Sequence, residues 1–151
     1  MRRSGAATAV LVLSAACGSA NSGPASPAAR ASSLFAARVA YVGDNSRVVA
    51  LVGQVGPAPA GSYTLRLSTT SPRAVRVDLR SSDKPFTNSD FREPATLLLG
   101  LIGNADQVTF AFESNTFTLT AAGASSAVGF DVKRFGQDRQ VLADYLTASS
   151  D

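Results

Sequence analysis

The hydrophobic pattern changes period as the chain runs. Val48, Leu51, Val52 and Val55 stand at the i, i+3, i+4, i+7 spacing of one helix face, which predicts a helix over about Asn45 to Val55. Tyr63, Leu65 and Leu67 then alternate with Thr64, Arg66 and Ser68. Val75, Val77 and Leu79 alternate in the same way with Arg76, Asp78 and Arg80. Both are strand patterns with one apolar face, and Thr70-Ser71-Pro72-Arg73 reads as the turn of an antiparallel hairpin. Ser81 to Asp90 is polar and reads as a loop.

Leu97, Leu98, Leu99, Leu101 and Ile102 make a second helix, about Pro94 to Gly103, apolar nearly all round. That predicts the most buried element, and it is too short to span a bilayer. Asp90 and Glu93 match a capping box, but that register puts Pro94 where a backbone donor is needed. The helix is therefore expected to start with Pro94 in its first turn. Val108, Phe110 and Phe112 next alternate with Thr109, Ala111 and Glu113; beyond Ser114-Asn115, Phe117 and Leu119 alternate with Thr118 and Thr120. This is a second hairpin. Asp138 is placed to cap a short last helix in which Val141, Leu142 and Tyr145 share a face.

The pattern thus predicts an α+β domain in the order α-ββ-α-ββ-α. An antiparallel sheet of about four strands, from two hairpins, carries helices on its apolar face. The wet face should hold Thr64, Arg66, Arg76, Asp78, Thr109, Glu113, Thr118 and Thr120. The covered face should hold Leu65, Leu67, Val75, Val77, Leu79, Val108, Phe110, Phe112, Phe117 and Leu119. Two stretches stay open: 34–41, which fits a short helix or a strand, and 121–136, rich in small residues over its first half.

Ahead of this domain the sequence has another character. Met1-Arg2-Arg3 is a positive start, Ala6 to Leu13 a short apolar run, and Leu13-Ser14-Ala15-Ala16-Cys17 follows. That is the layout of an export signal over residues 1–16. Small residues directly before a cysteine resemble the lipobox of bacterial lipoproteins, in which the cysteine is lipidated (with palmitate among its acyl chains) and becomes the first residue. Here Ser14 stands where leucine is usual. Ordinary secretion is the alternative, since Ser14-Ala15-Ala16 and Gly18-Ser19-Ala20 also suit a general signal peptidase. Residues 17–33 are nearly all Gly, Ser, Ala, Pro and Asn, with Arg30 the sole charge, and read as a flexible tether to a single domain over 34–151.

Composition narrows the chemistry. The 151 residues suffice for one domain. Formal charge is +3, but Arg2 and Arg3 belong to the export signal, leaving twelve basic against eleven acidic residues. No basic cluster interleaved with aromatics marks a nucleic-acid surface. There is no histidine, which excludes a Ser-His-Asp triad and histidine metal ligation, and Cys17 is the one cysteine, which excludes an internal disulfide. Phosphate-cradling glycine motifs are absent too. No catalytic residue, metal ligand or cofactor is assigned.

The candidate interaction residues lie in Tyr41-Val42-Gly43-Asp44-Asn45-Ser46. As local structure this is a chain reversal that launches a helix: Gly43 can take a positive φ, and Asp44 or Asn45 can serve as N-cap. As a site it offers Tyr41, Gly43, Asp44, Asn45 and Ser46. The hexapeptide followed by a valine-rich helix resembles the signature of the bacterial family called domain of unknown function 4825. Leu101-Ile102-Gly103-Asn104, Gln107-Val108-Thr109-Phe110 and the late Phe135-Gly136-Gln137-Asp138 are similar to further boxes of that family. The resemblance spans about Arg38 to Leu146 and is blandest over Ala121 to Gly129. It implies a bacterial lipoprotein, related to domains found on membrane-bound sensor metallopeptidases, and supplies no reaction.

Two functions follow as expectations. One is a non-catalytic interaction or sensory module, anchored to the membrane by lipid on its outer side, with a membrane or cell-wall protein as candidate partner. The other is a carboxylate-based cell-envelope enzyme drawing on Asp78, Asp83, Asp90 and Glu93, which needs two of them in one cleft. Arg66, Arg76 and Arg80 on the outer face of the first hairpin add a candidate contact with an anionic membrane, each worth about 1 kcal/mol at most.

Overall fold

A computed structural model describes residues 25–56, 62–82 and 84–150. The expected export signal, Cys17 and the first part of the expected tether lie outside the described residues, as do Pro57 and Asp83.

The folded part starts earlier than the sequence pattern suggests. Helix α1 covers Pro27–Ala36, with Ser26 as N-cap accepting the Ala29 N–H at 3.2 Å and Pro27 in the first turn. Ala31 and Leu34 are buried, and α1 packs along α5, the last helix, Arg139–Ala148. A flexible tether through Ser33 and a domain beginning at Leu34 are therefore corrected: 27–33 is helical. Small residues conceal this helix, because alanine favours helix strongly while burying little surface of its own. The undecided stretch 34–41 divides. Leu34, Phe35 and Ala36 finish α1, and Val39 makes an isolated parallel bridge to Ile102.

Helix α2 runs Asn45–Val55, as its spacing predicts, with Asp44 as N-cap and Val48, Leu51, Val52 and Val55 buried. Its end is set by Gly56 at φ 71°, a conformation that glycine takes without steric cost. Gly43 does not have a positive φ, contrary to expectation; an ordinary turn in which Tyr41 C=O accepts the Asp44 N–H suffices.

Strands β1 (Tyr63–Ser68) and β2 (Ala74–Leu79) form the first antiparallel hairpin; β3 (Gln107–Phe112) and β4 (Asn115–Thr120) form the second. The sheet order is β1-β2-β3-β4, and the central β2–β3 pair is parallel. The α+β class stands, but an all-antiparallel sheet is corrected to a mixed one. Helix α3 (Asn88–Leu101) crosses over between β2 and β3, and such a return brings the second strand in parallel.

Arg66, Arg76, Thr109 and Thr118 form one row across the sheet, and Leu65, Val77, Phe110 and Phe117 the next. Successive rows face opposite sides, so the predicted partition holds in register. Two residues, Thr109 and Glu113, depart from it, while Thr120 stays exposed on the open-face row. Thr109 is 6% exposed on the open face, its hydroxyl 3.0 Å from that of Thr118 in the middle of the sheet. Glu113 sits in the β3–β4 turn at φ 54°, and Thr120 caps α4 (Ala121–Val128) by accepting the Gly123 N–H.

Helix α3 also starts earlier than expected. Thr87 is its N-cap, Pro94 lies inside it, and the Thr87 hydroxyl bonds the Asp90 carboxylate. Pro94 removes one intrahelical bond and costs about 3 kcal/mol in a helix interior. The extra turn brings in Phe91, fully buried, its ring 4.9 Å from Phe110 and 4.6 Å from Phe86. Burying such a ring is worth about 1.5–3 kcal/mol before stacking, so the two effects are of one size. Residues 94–101 are all buried. The sheet lies on one side of α3; α2, α4 and a short 3-10 helix, Val132–Gly136, pack around it. Gly100 makes the last contact possible: a Cβ there would stand 2.5 Å from Phe135 Cδ2 and 2.7 Å from the Val132 carbonyl oxygen. Helix α5 is capped by Asp138, as predicted, and buries Leu142 and Leu146, with Val141 and Tyr145 half-buried.

Candidate functional site

The C-terminal end of α3 is where distant parts of the chain meet. A helix end leaves its last carbonyls without intrahelical donors. Here the Leu99, Ile102 and Ala105 carbonyls accept from one ammonium, Lys133 Nζ, at 2.7, 3.0 and 2.6 Å. A lysine suits this place because its three N–H donors diverge from a point, and positive charge complements the negative end of the helix dipole. Burial pulls Lys133 down to about 8, against the opposing pull of Asp106 and Asp131; Arg73 lowers it further. Asp106 is committed elsewhere. Its carboxylate accepts from Arg73 Nε and Nη2 at 3.0 and 3.1 Å and from the Arg73 backbone N–H at 2.8 Å, which holds it below the usual carboxylate range.

On the other side of the same helix end runs the segment after α1. Val39 N–H donates to Leu101 C=O at 2.9 Å, and Gly103 N–H donates to Val39 C=O at 2.8 Å. Gly103 permits a close approach, since a Cβ there would be 3.0 Å from the Ala40 carbonyl oxygen. Asn104 completes the seam by accepting the Val42 N–H. The Tyr41–Ser46 hexapeptide and the Leu101–Asn104 box are thus one structural joint.

Between this joint and the 3-10 helix lies a cleft of about 430 Å³ lined by Arg38, Val39, Arg47, Leu101, Lys133 and Gln137, among others. Three lining residues are cationic and none is acidic. Arg38 is fixed by a bond from Nη1 to Phe35 C=O at 2.8 Å and by stacking 4.1 Å above the Phe35 ring. Arg47 is exposed; its Nε is 3.6 Å from Asp44 Oδ2.

None of the five candidate interaction residues lines this cleft. Asp44 is the α2 cap, its Oδ1 accepting the Arg47 N–H at 3.4 Å, while Asn45 and Ser46 are exposed in the first turn. Tyr41, 68% exposed, is a large apolar side chain left on the surface. The hexapeptide places Arg38 and Arg47 rather than forming the pocket itself. Lys133 escaped the sequence reading because its carbonyl partners lie 28 to 34 positions away.

Of the candidate carboxylates, the three among the described residues each have a separate partner. Asp78 stands on the open sheet face, 2.7 Å from Arg76 Nε and 3.1 Å from Arg66 Nε, the latter without hydrogen-bond alignment. Asp90 bonds Thr87, and Glu93 pairs with Arg30 of α1 at 2.8 Å. Among the described residues no group of three or more acidic, cysteine or histidine side chains could hold a metal ion. Nor is any described helix long and apolar enough to cross a membrane. On the sheet face Asp78 offsets Arg66 and Arg76, which weakens the expected attraction to an anionic surface there.

Residues 34–122, more than half of the chain, match a family described as Domain of unknown function (DUF4825). The match takes in the joint, both hairpins and α3, and ends before Lys133 and α5. No curated protein and no solved structure matches the chain.

Proposed function

Since the chain belongs to the family of domain of unknown function 4825, we propose that it is a membrane-anchored extracytoplasmic lipoprotein acting as a non-catalytic interaction or sensory module. One observation carries the reading: Cys17, the one cysteine of the chain, directly follows an apolar run and small residues. Lipid on that thiol would hold the domain at the membrane while leaving it outside. The domain begins at Ser26, about nine residues beyond, so the leash is at most roughly 30 Å when fully extended. The cationic cleft supplies a surface for recognition. Partners of this reading are the membrane, through the anchor, and a membrane or cell-wall protein.

Labelling of cells with an alkyne palmitate analogue, followed by detergent phase partition, tests the anchor. The wild-type chain should carry label and enter the detergent phase, whereas Cys17→Ala should carry none and remain as precursor or leave the membrane. An unlabelled wild-type chain recovered from the medium would overturn the lipoprotein in favour of plain secretion.

A further inference from the structure

The cleft at the end of α3 is lined by three cations and by no carboxylate, its nearest acidic groups, Asp44 beside Arg47 and Asp106 and Asp131 near Lys133, standing outside the lining. Arg38 has one nitrogen committed to Phe35 C=O, which leaves Nε and Nη2 to donate elsewhere. Arg47 meets Asp44 only through Nε, at a long 3.6 Å, and both its terminal nitrogens are free of described partners. Both arginines also border the adjoining depression with Ala50 and Gln54, so they stand together at the boundary of two hollows. Lys133 is different in kind. Its three donors are all spent on carbonyls, so it lends a fixed charge to the cleft and no hydrogen bond to a ligand.

We propose that this cleft binds a phosphate monoester, its oxygens taken by the guanidinium forks of Arg38 and Arg47, with the Lys133 charge behind them. Charge selects the group: a phosphate monoester carries close to two negative charges, where a carboxylate brings one to a lining of three cations of which Arg47 is partly offset by Asp44. Geometry agrees, because the three terminal oxygens of a tetrahedral phosphate can accept from two planar forks at once. The cleft volume of about 430 Å³ exceeds what a bare ion fills and leaves room for the organic part of the ester. The inference concerns a different surface from the lipid anchor and stands or falls apart from it. Two sources share this chemistry: a soluble phosphate compound and a phosphate-headed lipid.

The test uses the full chain in neutral detergent. Inorganic phosphate is titrated by calorimetry at low salt, and phosphatidic acid is offered in the micelles beside phosphatidylcholine, with bound lipid read by native mass spectrometry. Saturable uptake of either phosphate probe is expected. Arg38→Ala/Arg47→Ala should weaken it at least roughly ten- to a hundredfold, the scale of one charge-assisted hydrogen bond lost in full or two weakened by solvent. Arg38→Lys/Arg47→Lys, which keeps charge and loses the forks, should fall between. Both arginines are exposed, so melting should not change. Binding of phosphatidic acid alone assigns the lipid source; binding of inorganic phosphate assigns the soluble one. Absence of saturable binding to both overturns the proposal. So does an equal loss in Arg66→Ala/Arg80→Ala, which removes the same charge from elsewhere on the surface.

Discussion

Asn104 Oδ1 accepts the Val42 backbone N–H at 2.8 Å across a separation of 62 positions. Val42 is fully buried, so this amide has no water to turn to. The bond locks the turn before α2 onto the segment after α3. Asn104→Ala should therefore cost about 1–3 kcal/mol in urea unfolding, the penalty of a stranded buried donor. Asn104→Asp, whose carboxylate also accepts, should cost clearly less. Equal losses in the two variants would show that the bond is not what matters there.

Asp44 is held to a weaker role by its long 3.4 Å cap bond. Asp44→Ala should lower stability by about 0.5–2 kcal/mol, toward the lower end, and Asp44→Asn by little, because asparagine caps as well. Thermal unfolding of the pair checks this. A large loss in Asp44→Asn would mean that the carboxylate itself has a partner.

Glycines 100 and 53 should answer oppositely to alanine. At Gly100 the new methyl group would meet Phe135 and the Val132 backbone well inside contact distance, and overpacking of that kind costs about 1–3 kcal/mol or more. At Gly53, inside α2, nothing lies within 4 Å of the added carbon. Gly53→Ala should stabilise by about 0.4–1 kcal/mol through a less flexible unfolded chain. Denaturant midpoints give both signs in one experiment.

Lys133 should leave a mark on the pH dependence of stability. Burial places its folded value at about 8, below the ordinary 10.5 that the unfolded chain keeps. Between those values the unfolded state binds the extra proton, so stability rises as pH climbs from about 8 toward 10.5. Tyr145, raised by burial, acts oppositely above its ordinary value of 10. Lys133→Met should flatten the rise from pH 8. It should also lower stability at pH 7 by about 1–3 kcal/mol, because three carbonyls lose their donor. An unchanged pH slope in the variant would remove Lys133 as its source.

What could be read in advance was what neighbours in sequence decide. The α2 face, the Asp138 cap and the alternation within each hairpin all rest on residues a few places apart, and each is found as predicted. The misses share the opposite property. Helix α1 depends on α5, more than a hundred residues on, to cover Ala31 and Leu34. The early start of α3 depends on Phe91 finding Phe110. The cleft depends on Lys133 reaching back to a helix whose open carbonyls carry no local signal. The hexapeptide is a corner, as its residues predict, but the cations it positions, Arg38 and Arg47, lie on either side of it.

The parallel seam at the centre of the sheet bears on how the molecule assembles. Each hairpin closes through a short turn, whereas Val77 meets Phe110 only after the chain has travelled through α3. The entropy of that longer closure must be met before the contact contributes. We therefore expect two early hairpins and a late seam, with α3 as the part that brings the halves into line. Pulse-labelled amide exchange during refolding would reveal this order. Amides bonded within each hairpin, β1 with β2 and β3 with β4, should gain protection first, and those bonded across the β2–β3 seam later. Seam amides protected ahead of the hairpins would mean that the two halves meet before either hairpin has closed.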